Sequence, residues 1–288
     1  MATRNRLSFL KMTLEKLLTD LQPDEEIVVV DGNSTDGSKE YLKDLFEEGK
    51  IHQFISESDK NQAHAWNKAM LLARGALIKK IIDDDIFCYT SIRLCKQYML
   101  DHPDIDVLIS NDLSSALHNY KKINKHSRLP QFEKWTKGLV PSFTFGDVHM
   151  LIRRSSLTYI GLYNTTFVMM DWEYSLRLSY LKAKICYYTG YNALSVYHPQ
   201  TVSAQKDAKL ITAQGKRAGV FYEYEGDSAD ISLWSKIKIG AGKLIKAASS
   251  NDSAKEQSSE EISSIYNYYY GYISECNDSE TSVFLTNI

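Results

Sequence analysis

The sequence predicts an α/β fold built on a mostly parallel, doubly wound sheet, with a C-terminal helical or irregular appendage. Three observations predict it. Short apolar runs alternate with stretches of helical period over roughly the first 110 residues. The connections between them are short, as strand–helix crossovers require. Two acidic clusters, at Asp31 and at Asp83-Asp84-Asp85, each follow directly on an apolar run. In such sheets ligands bind beyond the carboxyl ends of the strands, so these clusters mark the candidate site.

Each element has its own signal. Ile27–Val30 is β-branched and reads as a buried parallel strand. Ser34-Thr35-Asp36-Gly37 supply turn and cap chemistry. Tyr41, Leu42, Leu45 and Phe46 then follow at helical spacing. Ile51–Ser56 reads as the second strand. Trp66, Ala69, Met70 and Ala73 share one helical face, and Gly75 ends that helix. Leu77–Ile82 is the third strand and runs into the acidic triplet. A helix over 91–100 stops ahead of Pro103, and Ile105–Ser110 is the next strand. The stretch 111–146 is less regular. Strand signals return at Val148–Ile152 and Ile185–Tyr188, around a helix over 172–181.

Past Phe221 the character changes. Over 231–248, Trp234, Ile237, Ala241, Leu244, Ile245 and Ala248 share a face, with Lys236, Lys243 and Lys246 off it. That basic amphipathic pattern, weakened by Gly240 and Gly242, suits either packing on the domain or a peripheral contact with an anionic membrane surface. Residues 249–264 read as a Ser- and Glu-rich linker, and an acidic tyrosine-rich tail closes the sequence. The expected organisation is therefore a domain over 1–222, divided near residue 110, and an extension over 223–288.

Composition narrows the function. The 288 residues carry a net charge of −2, which excludes bulk electrostatic binding of nucleic acid. No apolar run reaches the roughly 18 residues of a membrane span, and MATRNRLSFLKM has no signal-peptide core. Cys88, Cys95, Cys186 and Cys276 have no metal-ligand spacing and fit reduced thiols, so a cytoplasmic location is expected. The 19 tyrosines suit sugar-facing surfaces, or reflect only the compositional habit of the source.

Three consecutive aspartates at a strand end repel one another, and burial raises their pKa. A divalent cation with a preference for oxygen ligands, Mg²⁺ or Mn²⁺ shared with a substrate diphosphate, removes the conflict. The alternative is a solvated acidic loop.

The residues also carry a family resemblance. Glu26–Ser38 (EIVVVDGNSTDGS) resembles the first nucleotide-binding segment of family-2 glycosyltransferases, and Ser56–Gly75 resembles their second block. Ile81–Phe87 (IIDDDIF) resembles their D-x-D block. His149–Asn164 is similar to the segment that leads into their acceptor helix. Met170–Leu178 (MDWEYSLRL) is similar to their E-D motif, and Val196–Ala204 to their late histidine segment. All six blocks occur in the family's order, over about Thr3 to Ala204.

The resemblance implies the GT-A fold and an inverting transfer from a nucleotide-diphosphate sugar, with a UDP-sugar as the default donor. The acceptor would be a glycan or lipid-linked saccharide of a bacterial surface polysaccharide, met at the inner face of the membrane. By the same resemblance Thr3 and Asp31 would hold the nucleoside, and Asp59 would line that pocket. Asp85 would bind the metal and Asp83 the ribose or the metal, with Asp84 leaving the register open by one. His198 would complete the metal sphere or donate to the diphosphate, unless it is an ordinary strand-end histidine. His64 reads as structural or rim-lining.

Asp171 would be the catalytic base. Displacement at an anomeric carbon passes through an oxocarbenium-like state, and a carboxylate opposite the leaving group can take the proton of the attacking hydroxyl. Asp171 can instead cap its helix, and Glu173 is the rival base. Arg177 is spaced to pair with Glu173. Met170 stands where the family's first acid usually lies.

A second departure concerns the sheet. Family members place an apolar strand ahead of the Thr3 block, whereas only Met1 and Ala2 precede it here. The expectation is a natural start several residues upstream. Two other functions stay in view: a degenerate, non-catalytic glycan-binding relative, and a sugar nucleotidyltransferase. The acidic Asp31-Gly32-Asn33-Ser34 turn, which lacks a basic phosphate loop, speaks against the latter.

Overall fold

The computed structural model describes residues 1–199, 201, 207–224 and 259–287. The basic stretch 231–248 and the first part of the expected linker, 249–258, lie outside the described residues.

A short strand, β1 (Ala2–Thr3), opens the chain, and helix α1 (Leu7–Asp20) follows, burying Phe9, Leu10, Thr13 and Leu14. Strands β2 (Val28–Asp31) and β3 (Gln53–Ser56) flank α2 (Ser38–Glu47). Helix α3 (Gln62–Leu72), capped by the Asn61 side chain on the His64 N–H, leads to β4 (Leu77–Lys79). The acidic triplet separates β4 from β5 (Ile86–Phe87), and α4 (Tyr89–Asp101) follows.

The second half holds β6 (Val107–Ala116), β7 (Ile123–His126), α5 (Leu129–Thr136), β8 (Leu151–Arg153) and α6 (Leu157–Ile160). It continues with α7 (Met170–Tyr180), β9 (Ile185–Tyr197), α8 (Ala208–Phe221), α9 (Ser259–Ser279) and β10 (Phe284–Thr286).

The strands form two sheets. One is parallel, in the order β1-β2-β3. The other runs β10-β9-β6-β8-β4, with β5 on β9 and β7 on β6. Within it only β6 and β9 pair in parallel; the remaining pairs are antiparallel. The expectation of a mostly parallel sheet is therefore corrected to a mixed one. Strand–helix alternation does not report the direction of every pair: β7 returns beside β6 after a short connection, and β10 comes back antiparallel to β9 after α8 and α9.

Between the two sheets lies a cavity of about 670 Å³, bordered by Met1, Val28, Trp66, Leu77, Lys79 and Ile81 among others. Met1 stands at its edge: its amine donates to the Val28 carbonyl at 2.7 Å, and burial pulls that ammonium down to about 5. Among the described residues β4 pairs on one side only, with β8.

The acidic tail, expected as an appendage, packs on the sheet from Ser259 onward. Ile265, Tyr266, Tyr269, Ile273 and Cys276 form one buried stripe of α9 against Ile86, Leu113, Leu194 and Val196. Each isoleucine so buried contributes ~1.5–3 kcal/mol. Strand β10 then extends the sheet by pairing Phe284 with Tyr188. Among the described residues, Glu260, Glu261, Glu275, Asp278 and Glu280 are exposed. Among the described residues no helix is long and apolar enough to cross a membrane.

Candidate active site

The carboxyl ends of the first three strands gather polar groups because parallel pairing brings them level: Thr3 is in register with Asp31, and Asp31 with Ser56. Asp31 is fully buried. Its Oδ2 accepts from the Ser34 N–H at 3.0 Å and from Ser56 Oγ at 2.6 Å, and its Oδ1 accepts from Ser34 Oγ. A carboxylate offers about four acceptor positions, and three are filled within the protein. Asn5 and Asn33 take positive φ, which asparagine tolerates. Asn5 stitches this turn to the start of α1: its N–H donates to Ser34 Oγ, and the Thr35 N–H donates to its Oδ1. Asp59 pairs with Lys68 at 2.6 Å. Its Oδ2 would lie 3.0 Å from a Cβ on Gly32, so the absence of a side chain at Gly32 lets these two loops approach.

The acidic triplet follows β4, and all three carboxylates are buried. Asp83 Oδ2 accepts from Thr3 Oγ1 at 2.6 Å, and Thr13 Oγ1 donates to the Asp83 carbonyl at 2.7 Å. The Arg6 guanidinium reaches both Asp83, at 3.2 Å, and Asp84. Asp84 Oδ2 also lies 2.7 Å from His198 Nε2. Asp85 Oδ1 accepts from the Val196 N–H at 2.8 Å, and its other oxygen has no partner among the described residues. Thus the structure seats His198 on Asp84 rather than on Asp85. Burial, and then the charge of Asp84, push Asp83 up to about 6 and Asp85 well above the usual carboxylate range.

Asp171 lies in the first turn of α7, behind an N-cap at Met169, so it does not act as the cap. Burial, and then the charge of Asp147, push it up to about 7. Lys80 opposes that rise, and its Nζ pairs with Asp147 at 2.5 Å between the Trp66 and Tyr163 rings. The positive charge of Lys80 acts on Asp85 as well as on Asp171. The phenol of Tyr197 in turn feels Asp85, Asp112 and Asp171 together. The acidic triplet and Asp171 therefore share one electrostatic neighbourhood, although they come from different halves of the chain.

Glu173, the rival base, is committed elsewhere. It forms a two-point pair with Arg177, with both contacts at 3.0 Å, and accepts from the Tyr222 phenol at 2.6 Å. Arg177 further donates to the Ile160 and Leu162 carbonyls, tying α7 to the preceding loop. Met170 is buried in the main core. His64 lies at the rim, 3.7 Å from Asp59.

Sequence reasoning missed Arg6, Lys80 and Asp147. Arg6 sits three residues past Thr3, and Lys80 interrupts an apolar run; a charge inside such a run was the available signal. Asp112 and His149 were also missed: their facing atoms lie 3.5 Å apart, and burial raises Asp112 to about 7 and lowers His149.

Among the described residues no three metal-ligating side chains converge on one point. A cation here would take one or two protein ligands and fill its sphere with diphosphate oxygens and water, which is the habit of Mg²⁺. The open Asp85 oxygen and the two raised aspartates fit a group that brings positive charge.

The profile of glycosyl transferase family 2 matches residues 1–161. No curated protein sequence matches the chain. Among solved structures, TarS of S. aureus shares 15% identity at a TM-score of 0.52. That similarity covers 95% of this chain but 54% of TarS, so the chain spans about half the length of that protein. A form of TarS limited to its residues 1–349, in complex with UDP-GlcNAc, shares 12% identity over 96% of this chain and 90% of its own, at 0.52. The mannosyltransferase PcManGT from Pyrobaculum calidifontis, in complex with GDP-Man and Mn²⁺, shares 15% over 97% of this chain and 86% of its own, at 0.54. At such identities the likeness speaks for the GT-A fold alone. The family match, which spans more than half of the sequence, goes further: the chain belongs to glycosyl transferase family 2.

Proposed function

We propose that the chain is an inverting glycosyltransferase that moves a sugar from a nucleoside-diphosphate sugar to a hydroxyl of a glycan or lipid-linked saccharide. One observation carries this reading: a buried acidic triplet at a sheet's carboxyl edge shares its electrostatic neighbourhood with a separate carboxylate, Asp171, whose pKa lies near neutrality. Such a pKa suits a general base at physiological pH.

The nucleoside lies against Asp31 and Asp59, and Thr3 holds Asp83 toward the ribose. Asp85, with Asp83 or His198 as a second ligand, would hold Mn²⁺ or Mg²⁺, which when bound neutralises charge on the departing diphosphate. Asp171 accepts the proton of the acceptor hydroxyl. The new oxygen–C1 bond forms as the C1–phosphate oxygen bond breaks, and the electron pair leaves with the nucleoside diphosphate. Lys80 keeps Asp171 ionisable by offsetting Asp147. UDP is the default donor nucleotide. The TarS form in complex with UDP-GlcNAc and the mannosyltransferase in complex with GDP-Man both favour a nucleotide-sugar donor.

The test is consumption of UDP- and GDP-sugars by the purified chain, with and without EDTA, beside Asp171→Asn. The reading expects turnover that EDTA stops and that Asp171→Asn cuts by ~10²–10⁴-fold. Metal-dependent nucleotide binding without turnover would instead favour a glycan-binding relative, the reading that Met170 supports.

A further inference from the structure

Helix α9 reaches the acidic triplet from a part of the sequence with no family block. The Tyr266 phenol, 182 residues from its partner, donates to the Asp84 carbonyl at 2.7 Å. The Tyr266 ring is 3% exposed and lies 6.0 Å from the Phe9 ring. Phe9 in turn stacks on His198 at 4.8 Å and 24°. His198 closes the circuit on the Asp84 carboxylate. Asp84 is thus gripped at both ends, its carbonyl by α9 and its side chain by His198 and Arg6.

A helix that only covered apolar surface would need the ring and not the hydroxyl; phenylalanine would serve. The hydroxyl fixes the peptide plane between Asp84 and Asp85. The Val196 N–H fixes one oxygen of the Asp85 side chain, and together they leave the other oxygen open. The helix is itself held firmly. Tyr269 donates to Ser115 Oγ at 3.0 Å, and Asn277 exchanges two 2.9 Å hydrogen bonds with the Tyr191 backbone.

We propose that Tyr266 is a positioning residue of the donor site: through the Asp84 carbonyl and the Phe9–His198 stack, α9 holds Asp85 and His198 in the arrangement that receives a cation and diphosphate. This rests on the reading of the triplet as a metal–diphosphate site.

The experiment is calorimetric titration of UDP and GDP into the full chain, each with Mn²⁺ and with EDTA, for wild type and Asp85→Ala, Tyr266→Phe, Tyr269→Phe and Phe9→Leu. Tyr269→Phe is the matched control, since it removes a similar hydrogen bond from the same helix. Tyr266→Phe is expected to weaken Mn²⁺-dependent binding by ~5–10-fold, the worth of one hydrogen bond of about 1 kcal/mol. Binding in EDTA stays unchanged, and so does binding by Tyr269→Phe. Phe9→Leu, which reaches the same loop through His198, gives a smaller loss in the same direction and serves if Tyr266→Phe does not fold. The inference is overturned if Asp85→Ala abolishes the Mn²⁺ effect while Tyr266→Phe and Phe9→Leu leave it at the wild-type level. Equal losses in Tyr266→Phe and Tyr269→Phe overturn it too, since the helix would then act only as a cover. If wild type has no Mn²⁺ effect, or Asp85→Ala retains it, the metal–diphosphate reading itself fails and the inference falls with it.

Discussion

Asp171 owes its raised pKa to its surroundings. Burial and Asp147 raise it to about 7, into the range that suits a general base. If Asp171 is the base, kcat/KM is expected to rise with pH through about 7 and then level off. Stability runs the other way. A carboxyl raised by the fold stabilises it fully below the ordinary carboxylate pKa, and that contribution is lost as pH rises through about 7. Asp171→Asn is therefore expected to melt several degrees above wild type at pH 8 and level with it at pH 4, as thermal denaturation at both values would show. Lys80 supplies the converse case. Lys80→Met leaves Asp147 buried and unpaired, at a cost of ~3–5 kcal/mol. It also moves the rising limb of the kcat/KM profile to higher pH, because a charge that lowered the pKa of Asp171 is gone. At this scale the sequence was partly legible. Asp83 and Asp85 stand out by type and place, Thr3 came only through the family resemblance, and the structure ties Thr3 to Asp83. The Lys80–Asp147 pair was not, because a contact across 67 residues leaves no local pattern.

Elements were legible where period and turn chemistry agreed. Strand β2 and helices α2 and α3 follow from β-branched runs, helical spacing and Gly75. Helix α1 escaped notice: its Leu7–Asp20 sequence opens at Arg6 without a side-chain cap, so no start signal marks it. Strand β9 ran well past its expected end at Tyr188, to Tyr197, because Gly190 and Asn192 read as turn residues while pairing with β6 carries the strand through. A cleft lies between β2 and β4. Burial lowers the Met1 amine to about 5, so the fold there favours its uncharged form at a cost in stability near neutral pH. A chain extended at its N-terminus by five β-branched residues is expected to fill that cleft, pair with both strands and raise the melting temperature by at least several degrees. An unchanged melting temperature would show that the cleft does not accept a strand.

For the whole molecule, the structure joins segments that composition set apart. The tail from Ser259 onward is acidic, yet its tyrosine and isoleucine stripe closes the core over Leu113 and Leu194. Removing residues 259–288 is expected to bare that surface, giving a chain that binds ANS and melts without a sharp transition. A sharp transition near the wild-type temperature would contradict this packing. The order of blocks along the sequence made the family legible, but charge alone gave no hint that the tail belongs with the sheet.

The most direct test of the account is whether the triplet after β4 binds a nucleoside diphosphate together with a metal. Calorimetry of a nucleoside-diphosphate panel, in Mn²⁺, Mg²⁺ and EDTA, would measure it for wild type and Asp85→Ala. The account predicts binding in either metal that weakens at least tenfold in EDTA and is lost in Asp85→Ala. Binding that ignores both the metal and the Asp85 carboxylate would contradict it.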